Sequence, residues 1–448
     1  MIPANKIFKR YDIRGIYPDE INGEIASGIA KAFVIFIKEK FGIDKPIISV
    51  GRDGRNSSPE IYDAVCNSLI VSGAIVKSLG IVTTPLTYFS SVIGKSEFSI
   101  MVTASHNPGI YNGLKFSKGV MPIFFENGLN DVLKIFLQGK KIKGIGDIEM
   151  VNILNDYKRY ILSKFMFSGN RKFVVDAGNG VSGKVFESVA KDLNLNYVPL
   201  FFEIDGDFPN HEANPMKKET LTALKDKVIS ENADFGVAFD GDGDRFGLVD
   251  ENGIFRTMDE IIALLADYES NEKKGTFFID LRCSKFVSEI IESKGGTIVK
   301  LPVGNPYYKK KLLEDSNGIL GAELSGHIMF KENHCIDDAV FNFLKVLEIF
   351  EKDSRKISEI LEHYKKYPKI PEINFTVENP ERVINKIKEE FKDYSFEELD
   401  GLTVKSDNWW FNIRRSNTEP LIRLNAEANR ESELNELVEK IKDVVSRN

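Results

Sequence analysis

Three times in 448 residues the chain repeats one order: a short apolar run rich in β-formers, a polar or glycine-rich turn, then a stretch of helical character. The runs are PIISVGRDGR from Pro46, RKFVVDAGNG from Arg171 and GTFFIDLRCSK from Gly275, and the helical stretches cover 58–72, 182–193 and 284–293. A buried strand, a turn and a covering helix form the repeating unit of α/β folds with mostly parallel sheets. The starts fall roughly 100–125 residues apart, a domain-sized interval. The pattern predicts three similar α/β domains with mixed, mostly parallel sheets, divided as 1–150, 151–252 and 253–366.

The last stretch differs. Runs beginning at Ile373, Leu402, Trp409 and Leu421 read as strands, and 380–393 and 431–445 have helical periodicity. Asn379 is placed to cap the first of these helices, and Pro380 suits its first turn. The prediction is a smaller antiparallel α+β domain over 367–448, joined through the proline-bracketed segment YPKIPE.

Lys and Arg number 60 and Asp and Glu 67, so the formal charge is 60 − 67 = −7. That argues against nucleic acid or an anionic membrane as partner, while allowing a local basic pocket. No run approaches the ~18 apolar residues of a membrane span, and the N-terminus lacks the apolar core of a signal peptide. Cys66, Cys283 and Cys335 are scattered and odd in number, which fits reduced thiols and a cytoplasmic protein.

The sharpest chemical feature is DGDGDR at 240–245, directly after the apolar run FGVAF. In an extended loop the side chains at i, i+2 and i+4 point one way, so Asp240, Asp242 and Asp244 converge. Carboxylates that close repel unless a cation lies among them, and oxygen donors favour a hard ion such as Mg²⁺ or Ca²⁺. A solvated acidic turn is the bland alternative. An EF-hand needs a glycine at loop position 6, where Arg245 stands.

Four other segments draw attention. TASHNP at 103–108 follows the apolar run FSIMV and presents Ser105 in a tight turn. An ST-turn leading into Asn-Pro is the bland alternative, and a Ser-His hydrolase does not fit, because Ser105 and His106 are sequence neighbours. RRSNTEP at 414–420, with Arg423 behind it, offers guanidinium, hydroxyl and amide donors that suit a phosphate, or else is a polar hairpin tip. ELSGH at 323–327 pairs a carboxylate with a hydroxyl two residues on, which can bind adjacent sugar hydroxyls, or else these are ordinary core or surface polar residues. RYDIRG at 10–15 reads alone as a polar turn.

Taken in order, TASHNP, DGDGDR, AELSGH and RRSNTEP resemble the α-D-phosphohexomutase family, within it the phosphomannomutase/phosphoglucomutase group. The resemblance spans Tyr11 to Arg423 and implies three α/β domains and a smaller fourth around a central cleft. It implies that Ser105 carries a phosphoryl group and, with Asp240, Asp242 and Asp244, binds one Mg²⁺. Arg245 would contact the transferring phosphate, Lys115 would be the general acid/base, and His106, His327, Tyr11 and Arg14 would line the active site. Glu323 and Ser325 would hold sugar hydroxyls. Arg414, Ser416, Asn417, Thr418 and Arg423 would clamp the unreacting phosphate, with Lys285 as a further basic contact. Where many relatives have Gly-His before the sugar-binding motif, this chain has Gly304-Asn305, and Asn305 cannot titrate.

The implied reaction interconverts hexose 6-phosphate and hexose 1-phosphate, of mannose or glucose, through a hexose 1,6-bisphosphate that turns around while bound. A Lys among cations can have a lowered pKa, which would suit Lys115 as base. Phosphoglucosamine mutase is the alternative within the family; a metal-dependent phosphatase using an Asp nucleophile, or a non-catalytic binding protein, is the alternative outside it. Oligomeric state is left open.

Overall fold

The structure is a computed structural model describing residues 6–415 and 421–447. The chain divides into two compact units, Met1–Met258 with Gly304–Ile360, and Asp259–Val303 with Leu361–Asn448.

In the first unit, a mixed sheet takes shape around the first of the repeated runs. Strand Ile47–Arg52 lies parallel to Ile75–Ile81 and Phe98–Val102, and Ile75–Ile81 lies parallel to Asp147–Met150. The chain then reverses: Tyr111–Lys118 runs antiparallel to Phe98–Val102 and in turn pairs with Ile13–Ile16. Helix Gly23–Phe41 covers one face. The Asn22 side chain caps its start by accepting from the Ile25 N–H, and Gly42 ends it at φ 70°. Phe33 from this helix packs against Phe116 and Phe98, with ring centroids at 4.5 and 6.1 Å, joining helix to sheet in one buried cluster.

A second sheet orders its five strands as Phe255–Arg256, Phe246–Asp250, Phe235–Phe239, Lys172–Asp176 and Asn196–Leu200. The middle strands are parallel, whereas Phe235–Phe239 and Phe246–Asp250 form an antiparallel hairpin. The turn of that hairpin is DGDGDR. Both hairpin strands are buried throughout, so the acidic turn is held on a rigid base. The first unit also contains the antiparallel pair Gly318–Ala322 and Ile328–Phe330, and helix Ala339–Lys352.

The second unit holds the parallel pair Thr276–Asp280 and Thr297–Leu301, from the third repeat. Its other sheet is wholly antiparallel, ordered Ile373–Thr376, Leu421–Ala428, Trp409–Arg415, Leu402–Lys405 and Ser395–Glu397. Helices Pro380–Glu390 and Glu431–Ser446 bury Val383, Ile387, Leu437 and Ile441 with Phe411, Ile413 and Leu424 of that sheet. Asn379 Oδ1 accepts from the Arg382 N–H at 3.0 Å, the expected cap. Strand Ser395–Glu397 was not read in the sequence; it is three residues long and mostly exposed, so no apolar alternation marks it. The architecture is three α/β domains with mixed sheets and a C-terminal antiparallel domain, as expected.

Candidate active site

The TASHNP turn begins where the fully buried strand Phe98–Val102 ends. Ser105 sits at φ 55°, a left-handed conformation that is costly for a residue with a β-carbon. Its N–H donates to Thr103 Oγ1 at 2.9 Å, and its carbonyl accepts from Arg55 Nη2 at 2.7 Å. The hydroxyl, only 3% of the residue being exposed, lies 3.2 Å from His106 Nδ1 and 3.5 Å from Asp240 Oδ2.

In the DGDGDR turn, Asp240 Oδ1 accepts from the N–H groups of Gly243, Asp244 and Arg245 at 2.9, 3.0 and 3.2 Å, folding the loop on itself. Gly243 adopts φ 77°. Thr84, opening helix Thr84–Val92, donates its N–H to the Asp242 carbonyl and its hydroxyl to Asp242 Oδ2. Lys115 Nζ donates to Asp242 Oδ2 at 2.6 Å and Asp244 Oδ2 at 2.8 Å, and Arg245 Nε donates to Asp240 Oδ2 at 3.0 Å.

Ligand atoms of Asp240, Asp242 and Asp244 all lie within 4.8 Å of one another. The Oδ1 atoms of Asp242 and Asp244 and the Arg245 Nη2 are buried without a hydrogen-bond partner among the described residues. Desolvated carboxylate oxygens left over in this way fit a hard divalent cation.

The electrostatics correct one expectation. Burial alone would lower the Lys115 ammonium, but Asp242 and Asp244 outweigh it and hold it well above its usual value. Lys115 therefore stands among carboxylates, not among cations, and the lowered pKa read from the sequence is absent. Burial, Arg245 and Arg14 drive His106 well below its usual value, so its imidazole is neutral. Burial opposes protonation of His327, but Asp244 and Asp337 reverse that and raise it. Arg14 reaches this region through Asn107 Oδ1 at 2.7 Å, braced by Asp12.

ELSGH forms the tight turn between Gly318–Ala322 and Ile328–Phe330. The Glu323 N–H donates to the His327 carbonyl, and Gly326, at φ 97°, donates back to the Glu323 carbonyl. A β-carbon on Gly326 would lie 3.3 Å from Arg245 Cβ, so the ELSGH turn packs on the acidic loop. The Ser325 hydroxyl is buried without a partner among the described residues. His327 Nδ1 lies 3.1 Å from Asp337 Oδ2, which also accepts from Asn305 Nδ2 at 2.8 Å; Asp337 Oδ1 accepts from the buried Lys309 at 2.6 Å. Tyr11 stacks edge-on to Tyr307 and passes against Gly304, where a β-carbon would lie 2.3 Å from its hydroxyl.

The second unit has its own cationic cluster. Glu372 Oε2 accepts from Arg414 Nη2, Asn425 Nδ2 and Arg282 Nη1 at 3.1, 3.1 and 3.3 Å, and Arg423 Nη1 lies 3.5 Å from Oε1. Burial would raise the Glu372 carboxyl, but Arg414 and Arg282 hold it below the usual range. Lys285 is elsewhere. Its ammonium donates to Asn429 Oδ1 at 2.7 Å and lies over the Tyr367 ring, beside a cavity of about 280 Å³. Arg282, in the turn before helix Lys285–Ser293, is the basic residue of this segment that faces Glu372. Ser416, Asn417 and Thr418 lie outside the described residues.

Known proteins agree with these features over the whole chain. Four family profiles match in order: phosphoglucomutase/phosphomannomutase alpha/beta/alpha domain I over 5–124, domain II over 155–253, domain III over 257–367, and the C-terminal domain over 372–444. The chain is 37% identical over 452 residues to the phosphomannomutase of Methanocaldococcus jannaschii, with 98% of each chain covered. The chain belongs to the phosphoglucomutase/phosphomannomutase family. It is also 34% identical over 449 residues to the phosphomannomutase/phosphoglucomutase of Pseudomonas aeruginosa, covering 99% of this chain and 95% of that one. The crystal structure of a family protein from Burkholderia thailandensis matches with a TM-score of 0.91 at 30% identity, covering 100% of this chain and 98% of the other.

Several residues around the family's motifs were missed in the sequence. Arg55, Thr84, Lys309, Asp337 and Arg282 are buried or nearly so and bind motif residues or their neighbours. The only signal for Arg55 and Arg282 was a basic residue in the turn after a buried strand. Asn305 is engaged with Asp337 and so shares an acceptor with His327. No described helix is long and apolar enough to cross a membrane.

Proposed function

We propose that this family member is a phosphohexose mutase interconverting hexose 6-phosphate and hexose 1-phosphate, of mannose or glucose, through phosphorylated Ser105 and a bound hexose 1,6-bisphosphate. The observation that carries the reading is the Ser105 hydroxyl 3.5 Å from Asp240 at the edge of three convergent carboxylates. Relatives named phosphomannomutase and phosphomannomutase/phosphoglucomutase support the substrate class.

In one half-reaction the P–O bond to Ser105 Oγ breaks as a P–O bond to a sugar hydroxyl forms. The hydroxyl's proton passes to His106, the neutral nitrogen base beside Ser105. In the other half, Ser105 Oγ takes the bisphosphate's second phosphoryl group and releases the isomer. Asp240, Asp242 and Asp244, with a phosphoryl oxygen on Ser105, would hold Mg²⁺, whose chemistry is to neutralise charge on the transferring oxygens. Arg245 and Lys115 add positive charge there; Arg14 and Tyr11 line the site. Glu323 and Ser325 bind sugar hydroxyls, and His327 is oriented by Asp337. Arg414 and Arg423, with Arg282 and residues 416–418, receive the phosphate that does not react. The working domain division remains 1–150, 151–252, 253–366 and 367–448. Three free, buried cysteines support a reducing, cytoplasmic setting.

The test is a panel of hexose 1-phosphates with Mg²⁺ and a catalytic amount of sugar bisphosphate, read alongside intact mass. Isomerisation with one phosphoryl group mapped to Ser105 is expected. Rapid release of free phosphate without isomerisation would overturn the reading in favour of a phosphatase.

A further inference from the structure

Arg55 has no place in the chemistry above, yet its guanidinium is spent on the Ser105 turn, the backbone that follows it and Asp53. It is among the largest fully buried side chains, at 1% exposure. Nη2 donates to the carbonyls of Ser105 and Asn107, both at 2.7 Å, and Nη1 to those of Pro108 and Tyr111 at 2.7 and 3.0 Å. Nε donates to Asp53 Oδ2 at 2.9 Å. The same Asp53 oxygen accepts from Thr103 Oγ1 at 2.7 Å, and Thr103 Oγ1 accepts from the Ser105 N–H. Asp53 Oδ1 accepts from the Ser58 hydroxyl at 2.6 Å, tying the network to the start of helix Ser58–Val71. Phe208 closes over the guanidinium, its centroid 5.2 Å from Cζ.

We propose that Arg55 is the positioning residue of the phosphoryl carrier: through four carbonyls it fixes the left-handed backbone at Ser105 and so the direction in which the hydroxyl points. The inference rests on Ser105 being that carrier. A left-handed serine relaxes toward ordinary backbone unless neighbouring groups over-determine it. Here both backbone polar groups of Ser105 end on this network, the N–H through Thr103 and the carbonyl directly. Lys in place of Arg keeps the charge but cannot span two pairs of carbonyls, because an ammonium lacks the planar fork. Relaxation moves Oγ relative to Asp240 without altering any group that holds the sugar or its distal phosphate.

The experiment compares wild type with Arg55→Lys and Thr103→Val, assayed well below their melting temperatures. Arg55→Lys is expected to lower kcat by about 100-fold, the scale of an ångström misplacement of a reacting group, with KM for hexose 1-phosphate changed less than about two-fold. The hydrolytic lifetime of phosphoserine 105, followed by intact mass, should also change, which loss of stability alone would not cause. Thr103→Val should lower kcat in the same sense with KM kept. If Arg55→Lys does not fold, Thr103→Val decides: an unchanged kcat there overturns the proposal. A folded Arg55→Lys with wild-type kcat overturns it directly, provided wild type carries the phosphoryl group. Wild type that never carries one on Ser105 sinks the carrier reading itself.

Discussion

Gly241 passes so close to Ser105 that a β-carbon at 241 would lie 2.7 Å from the Ser105 carbonyl oxygen. The acidic loop and the TASHNP turn are therefore in backbone contact, and the missing side chain permits it. Gly241→Ala should fold, since the clash is local, yet push the two loops apart. Mutase kcat is expected to fall about 10- to 100-fold with little change in KM. Steady-state kinetics on the purified variant checks this, and a kcat within two-fold of wild type would show that the loops tolerate the separation.

Asp242 offers one oxygen to Lys115 and Thr84 and leaves the other without a partner among the described residues. Asp242→Asn keeps the shape and removes the charge. Turnover should drop by at least about 100-fold, and the rate should lose most of its response to added Mg²⁺. For wild type, chelation with EDTA should abolish activity and Mg²⁺ should restore it. A Mg²⁺ titration of Asp242→Asn that overlays wild type would refute the metal assignment.

Arg282 and Lys285 are three residues apart and part ways in the structure, one to Glu372 and the other to Asn429. Arg282→Met should raise KM for hexose 1-phosphate about ten-fold, the worth of one charge-assisted phosphate contact. Lys285→Met should leave KM within about two-fold by the same reasoning. The reverse ranking of the two KM values would assign the basic contact to Lys285.

Asp338 caps helix Ala339–Lys352 through the N–H groups of Val340 and Phe341 and accepts from the Tyr157 hydroxyl at 2.8 Å, fully buried. Burial outweighs those bonds and raises its pKa from 3.8 to about 6. The folded state then binds more protons than the unfolded state between those values, so stability falls as pH rises through them. The loss is complete above about pH 6 and is worth roughly 3 kcal/mol. Asp338→Asn keeps an oxygen for the cap and can donate to Tyr157. It should gain stability over wild type at pH 7.5 but show little gain at pH 4, read from urea midpoints. A stability difference between the two proteins that does not vary with pH would exclude this linkage.

What could be read in advance follows how local each interaction is. The Asn379 cap spans three residues and DGDGDR six consecutive positions, so their geometry is implied by spacing. Arg55 reaches Ser105 across 50 positions, and Lys115 reaches Asp242 across 127, so their partners depend on how strands pair rather than on any pattern. That is why Lys115 was expected among cations and was found among carboxylates. At 282–285 two basic residues bracket the entry to one helix, and only the turn's backbone decides which faces Glu372. Strand Ser395–Glu397 escaped because three exposed residues carry no apolar alternation.

The Ser105 turn draws its shape from Arg55 on one side and the bare backbone of Gly241 on the other. It is therefore not a portable module. A hexapeptide copied from 103–108 into a foreign scaffold would carry the reactive hydroxyl but leave behind the two remote segments that aim it. The smallest inheritable part is a set of three pieces scattered between Arg55 and Gly241, each of which constrains mutation in the others.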